Sequence, residues 1–151
     1  MGYPTGSTIW PISQCSDDIK KLVDRLFTLA DTKTVDAGDL LAQEVFSAEG
    51  QFLSPQGTFT GSNEIRESRK NAWTTVKTRY HVVSKVYIND TQGTDLIIIG
   101  SLSTEALDTT RARVDFVARM VVETTDQGAR VRQYRVITPP ATDPRPLLNE
   151  L

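Results

Sequence analysis

The stretch from Phe46 to Val76 constrains this chain more than any other, because it joins two short strands by a Pro-Gly turn and then opens a helix. Ser54, Pro55, Gln56 and Gly57 supply turn chemistry between the runs Gln51 to Leu53 and Thr58 to Thr60. Gly61 and Ser62 end the second strand. The Ser62 hydroxyl is placed to accept the backbone N–H of Ile65, and Glu64 and Glu67 favour the first turns electrostatically. Ile65, Ala72 and Trp73, with the stem of Arg69, recur at helical spacing, so one stripe of this helix is expected to be buried.

Upstream, Ser16 reads as an N-cap with Asp17 and Asp18 in the first turn. Ile19, Leu22, Val23, Leu26, Phe27 and Ala30 then form an apolar stripe. Asp36 can begin a second, shorter helix with Leu40, Leu41, Val45 and Phe46 on its buried side. Downstream, the apolar period changes from helical to alternating. The β-rich runs are Thr78 to Ile88, Asp95 to Thr104, and Arg113 to Glu123, the last continuing through the turn Asp126-Gln127-Gly128 into Ala129 to Ile137. This organisation predicts a flexible arm over residues 1–15, a domain over 16–138 and a Pro-rich tail over 139–151. The arm is rich in Gly, Pro, Ser and Thr and has neither a basic leader nor an apolar secretory core.

With 151 residues, 38% hydrophobic and 24% charged, the chain suits one domain with a real core. A net charge of −2 with dispersed basic residues argues against nucleic-acid binding. No apolar run approaches the roughly 20 residues that span a bilayer, so no membrane partner is expected. Cys15 is the only cysteine and His81 the only histidine, which excludes an internal disulfide and a zinc site and favours a reducing, cytoplasmic setting. No nucleotide, metal or flavin motif is present, and no cofactor is expected.

Helices first and long strands last predict an α+β fold. The element order, the hairpin-then-helix cassette and the ending GARVRQYRVI resemble the nuclear-transport-factor-2-like superfamily, especially its SnoaL-like members, over roughly Ser16 to Thr138. The resemblance implies a cone: a curved antiparallel sheet with three N-terminal helices packed on its concave face. It also implies a range of functions, from isomerases, dehydratases, cyclases and epoxide hydrolases to non-catalytic binding modules.

Ketosteroid isomerases of that superfamily carry an Asp-Pro-X-Gly turn whose Asp is the base. The matching residues here are Ser54-Pro55-Gln56-Gly57, and a hydroxyl is no carboxylate base. The helix-borne tyrosine of those enzymes falls on Leu26 or Phe27. Arg113-Val114-Asp115 is similar to the Arg-X-Asp of limonene-epoxide hydrolases but sits one strand late, and their second Asp falls on Val136. Arg79-Tyr80-His81-Val82 is similar to a strand start of scytalone dehydratase. That likeness implies that His81 is a cavity imidazole, Asp31 its polar partner and Ser54 the counterpart of a cavity tyrosine.

An imidazole takes and returns protons near neutral pH, as enolisation, dehydration or a double-bond shift requires. Strict alternation, however, puts His81 with Arg79, Val83, Lys85 and Tyr87 on the wetter face of its strand, so a surface or interface histidine remains open. A tight turn at Asp126-Gln127 would pair Glu123 with Arg130, Val121 with Arg132, Arg119 with Tyr134 and Val117 with Val136. Arg119 and Tyr134 on one face could stabilise an enolate, or could be a solvated arginine over a ring. The opposite face, Phe116, Ala118, Met120 and Val122, is apolar and predicts a homodimer through the sheet. Arg113 and Asp115 read as a surface pair.

Trp10, Trp73, Phe46, Phe52, Phe59 and Tyr80 could wall an apolar cavity for a polycyclic small molecule, or could be plain core. The favoured catalytic set is His81, Arg119, Tyr134 and Asp31, with Ser54, Tyr80, Trp73, Phe52, Val117 and Val136 as substrate contacts. The function expected is a cofactor-independent isomerase, cyclase or dehydratase acting on a polyketide- or terpenoid-like natural product. The alternative is a binding or interaction module, in which the cone is filled by its own side chains.

Overall fold

The structure is a computed structural model describing residues 2–139 and 147. Helix α1 (Asp17–Ala30) starts where the Ser16 hydroxyl accepts the Ile19 N–H at 3.2 Å, and Ile19, Leu22, Val23, Leu26, Phe27 and Leu29 form its buried stripe. A single turn, α2 (Ala37–Leu40), passes into a π-helical turn at Leu41–Val45. Phe46, expected on that helix, begins strand β1 (Phe46–Ser54), which turns back into β2 (Gly57–Thr60) with Ser54 opposite Gly57. Helix α3 (Gly61–Glu67) follows directly. Its N-cap is Thr60 and not Ser62, because the helix begins as soon as the strand ends; Glu64 reaches back to accept the Thr60 N–H at 3.3 Å. The helix also ends earlier than expected. Ser68 bonds the carbonyls of Glu64 and Ile65, so Ala72 and Trp73 lie in the turns that follow and share no helical stripe with Ile65.

Strands β3 (Val76–Ile88), β4 (Asp95–Ala106), β5 (Arg111–Thr125) and β6 (Gly128–Ile137) complete one sheet in the order β2-β1-β6-β5-β4-β3. The sheet is curved, unclosed and mixed: β1 runs parallel to β6 and every other neighbouring pair is antiparallel. The helices pack on it as the cone requires. Most of the tail predicted over 139–151 lies outside the described residues; Pro139 and Leu147 are within them, and the Leu147 N–H meets Asp115 at 3.1 Å.

Two one-residue bulges decide which side chains face the helices. In β3, Val83 pairs with Gly100 and Lys85 with Ile99, leaving Ser84 as the extra residue. Side chains on opposite sides of that bulge therefore break strict alternation. His81 and Val83 face inward before it, Val86 and Ile88 after it, while Lys85 and Tyr87 go to the convex side. In β6, Val122 pairs with Val131 but Val121 with Gln133, which makes Arg132 the extra residue. Glu123 does pair with Arg130; beyond the bulge, Tyr134 pairs with Met120 and Arg119 with Arg135.

The face Phe116, Ala118, Met120 and Val122, expected to be free for a homodimer, is the core face instead. All four side chains are buried beneath the helices, so this apolar strand face is covered within the chain. Pairing through the sheet would have to use the convex side, where Ile97, Ile99 and Val117 are half-buried and Ile137 is exposed.

The segment read as a flexible arm lies along the outer edge of β3. Ile9 bridges to Lys85, its N–H donating to Ser84 O at 3.0 Å and its carbonyl accepting the Val86 N–H at 3.1 Å, while the Thr8 hydroxyl donates to Val83 O at 2.7 Å. These bonds satisfy edge groups beside the bulge that would otherwise face water. Further back, Pro4 and Thr5 are buried against α1, where the Thr5 hydroxyl meets Asp24 at 2.5 Å.

Gly100 sits where β3 and β5 both approach closely. A Cβ there would run into the Val82 carbonyl and lie 2.8 Å from the Phe116 ring. Gly100→Ala is therefore expected to lower the unfolding free energy by about 1–3 kcal/mol, since backbone must shift to admit the methyl. Urea denaturation of the two proteins checks this.

Candidate functional site

A cavity of about 300 Å³ opens between α1, the β1–β2 turn and the inward faces of β3 to β6. Leu26, Phe27, Leu41, Phe52, Leu102, Val114, Phe116 and Val136 line most of it. Its polar groups are few: Ser54, Gln56, Arg69, Arg79, His81, Tyr134 and Thr138.

His81 projects inward from β3 between two aromatic rings, with centroids 5.2 Å from Phe27 and 5.9 Å from Phe116. Its Nδ1 lies 2.5 Å from Asp31 Oδ1, and its backbone N–H donates to Asp31 Oδ2 at 2.8 Å. Asp31 caps the C-terminal end of α1, and the two side chains are 2% and 13% exposed for Asp31 and His81. A carboxylate only accepts, so Nδ1 carries a hydrogen, and in the neutral ring the lone pair is then on Nε2. No described residue hydrogen-bonds Nε2. The Tyr3 hydroxyl donates to the same carboxylate, Asp31 Oδ2, and the Tyr3 ring stacks on Tyr80 at 4.2 Å. Burial and the Asp31 carboxylate together push the Tyr3 phenol well above its ordinary range, so it stays a donor.

Two guanidiniums share the cavity wall. Arg69, in the turn after α3, donates to Ala30 O at 2.6 Å, and Arg79, two residues before His81 on β3, donates to Ala72 O at 2.8 Å while stacking 5.4 Å from the Trp73 ring. Neither Nε has a hydrogen-bond partner among the described residues. Burial first, then the Arg79 charge, pull Arg69 down to about 10, which leaves it charged at neutral pH. Tyr134 is 3% exposed, and burial alone pushes its phenol far above the ordinary range, so its hydroxyl remains protonated.

The structure thus brings His81, Asp31, Tyr134, Ser54, Phe52 and Val136 to one cavity or its immediate wall. It separates others. Arg119 is 54% exposed on the convex side, paired with Asp95 at 2.7 and 2.9 Å, because the Arg132 bulge moves Tyr134 off its face. Val117 pairs with Ile137 on that same convex side. Tyr80 faces outward beneath Tyr3, and Trp73 lies between Lys33 and Arg79 outside the cavity lining. Phe46 and Phe59 pack behind Phe52, and Trp10 against the core edge. The Ser54 hydroxyl is engaged in its own turn, donating to Gly57 O and accepting the Gln56 N–H, both at 3.2 Å. Arg113 and Asp115 form an ion pair of 3.6 Å on the convex side. Sequence reasoning missed Arg69, Arg79 and Tyr3 as site residues; the available signal was Arg79 at i−2 of His81, on the same strand face.

Among the described residues no three His, Cys, Asp or Glu side chains cluster as a metal site would require, and no helix is long and apolar enough to cross a membrane.

No protein-family model matches the chain, and no curated protein does. Solved structures do. A nuclear transport factor 2 (NTF2-like) superfamily protein from Salmonella enterica superposes with a TM-score of 0.68 at 16% identity, covering 83% of this chain and 92% of that one. A putative aromatic ring hydroxylase from Novosphingobium aromaticivorans gives 0.70 at 18% identity, covering 80% and 86%. The hexachlorocyclohexane dehydrochlorinase LinA-type3 from Novosphingobium barchaimii gives 0.66 at 13% identity, covering 80% and 84%. The chain has the NTF2-like fold.

Two variants test this assignment of places. Tyr3→Phe keeps the stack on Tyr80 and removes only the bond to Asp31; because Tyr3 is 43% exposed, a loss of about 1 kcal/mol in urea unfolding is expected, less than a fully buried bond to a charged group contributes. Arg119→Ala is expected to leave ligand binding by the cavity unchanged, which a titration of the two proteins side by side measures.

Proposed function

We propose that this chain is a small, cofactor-independent enzyme that isomerises, cyclises or removes water from a ring-bearing molecule of polyketide or terpenoid type, using His81 as the base. The observation that carries the reading is the 2.5 Å contact of His81 Nδ1 with Asp31, which turns Nε2, the lone-pair nitrogen of the neutral ring, to the work of a base beside an apolar cavity. Nε2 takes a proton from a carbon next to a carbonyl. The electron pair of that C–H bond moves into an enolate, and either drives out a β-hydroxyl, which leaves as water with the proton His81 returns, or is reprotonated at another carbon. Asp31 holds the tautomer and steadies the imidazolium, and the protonated Tyr134 hydroxyl is a donor for the enolate oxygen. The cavity volume lies at the lower end for small-molecule sites, which favours one or two rings over larger skeletons. The single free Cys15 suits a reducing, cytoplasmic setting.

Deuterium exchange in heavy water tests the base directly. Wild-type protein is expected to catalyse exchange at acidic C–H positions in a panel of cyclic ketones and β-hydroxyketones, followed by NMR. His81→Ala should lower the rate about 10²-fold or more with folding retained, and Asp31→Asn should lower it as well. Equal rates for wild type and His81→Ala would remove the reading and leave a binding cavity.

A further inference from the structure

Two like charges meet in this cavity without enough opposite charge among the described residues to match them. Arg69 and Arg79 both line it, each feels the pull of Asp31, and burial first, then the Arg79 charge, weaken Arg69's hold on its proton. Each guanidinium has a single acceptor among the described residues, a neutral backbone carbonyl. Asp31 can offset one positive charge, and its oxygens are already taken by Tyr3 and His81. One positive charge is left on a wall whose other members are mostly apolar. A buried, unmatched charge is costly unless an ion of opposite sign completes it.

We propose that Arg69 and Arg79 form an anion subsite at one end of the cavity, and that the molecule bound there carries a carboxylate on an apolar ring system. Guanidinium donors suit the planar, two-oxygen edge of a carboxylate. With the imidazole uncharged, a monoanion cancels the residual charge, whereas a phosphate dianion would overshoot it. The inference rests on this cavity being the functional site, not on His81 acting as base.

The probes are cinnamate, its neutral isostere cinnamamide, and phenyl phosphate, titrated into the full chain and followed by NMR. Cinnamate is expected to bind at least about tenfold more tightly than cinnamamide. Arg69→Met and Arg79→Met, which keep the apolar stems, should each erase that preference while leaving cinnamamide unchanged, and His81→Ala should preserve it. Should either methionine variant fail to fold, the wild-type comparison and the other variant decide. Equal affinity for cinnamate and cinnamamide, or saturable binding of neither, overturns the proposal; tighter binding of phenyl phosphate overturns the carboxylate in favour of a phosphate monoester. Carboxylate selectivity without deuterium exchange would sink the base and keep the subsite, and exchange without selectivity would do the reverse.

Discussion

A carboxylate buried at the C-terminal end of a helix is disfavoured twice, by desolvation and by the negative pole of the helix. Asp31 is such a group, and much of the molecule is arranged to hold it. It accepts from the backbone and ring of His81 on β3 and from the phenol of Tyr3 in the N-terminal segment, and it attracts the guanidiniums of Arg69 and Arg79. One charge thus ties together the end of α1, the edge strand, the segment that covers that edge and the turn after α3. Removing the charge would leave those donors facing one another, which is why its effects should reach beyond the imidazole it orients.

The second constraint is register. Side chains alternate across a strand, so a single extra residue sends everything beyond it to the other face. The Ser84 bulge lets one strand present Arg79 and His81 to the cavity at one end and Val86 and Ile88 to the core at the other. The Arg132 bulge turns Tyr134 inward, next to Met120, where it packs edge-on to Phe52 and Phe27. Without the two bulges one strand could not serve both cavity and core at His81 and Val86, and Tyr134 would leave the cavity.

These bulges also explain which parts of the site could be read from the sequence. The α1 stripe, the β1–β2 turn at Ser54 to Gly57 and the four long strands follow from local patterns, and those patterns are strong because each element packs one face. His81 stood out as the lone imidazole, and Asp31 came into view through the dehydratase likeness. Strict alternation then misled. It placed Tyr134 with Arg119, and it made the His81 face look wet by counting Lys85 and Tyr87 on it. Neither bulge is marked by a glycine. Arg69 was read for its stem because helical spacing records only apolar positions, and Tyr3 lies where there is no periodicity to read. What binds Tyr3 is Asp31, distant along the chain.

The charge balance of the cavity links its two halves. The two guanidiniums, Arg69 and Arg79, outnumber the one carboxylate, Asp31, so wherever the imidazole is uncharged the site carries one excess positive charge. A neutral substrate would keep that excess through the whole reaction, since moving a proton from carbon to Nε2 creates an imidazolium and an enolate together and changes no net charge. A monocarboxylate cancels the excess on binding, and the cavity then stays neutral in both the ground state and the enolate state. Because charge in an apolar wall is felt strongly, the carboxylate would act mainly on binding, whereas the His81–Asp31 contact and the Tyr134 hydroxyl would act on the chemical step. On the proposed reading, the arginines and the histidine would divide one site between affinity and rate.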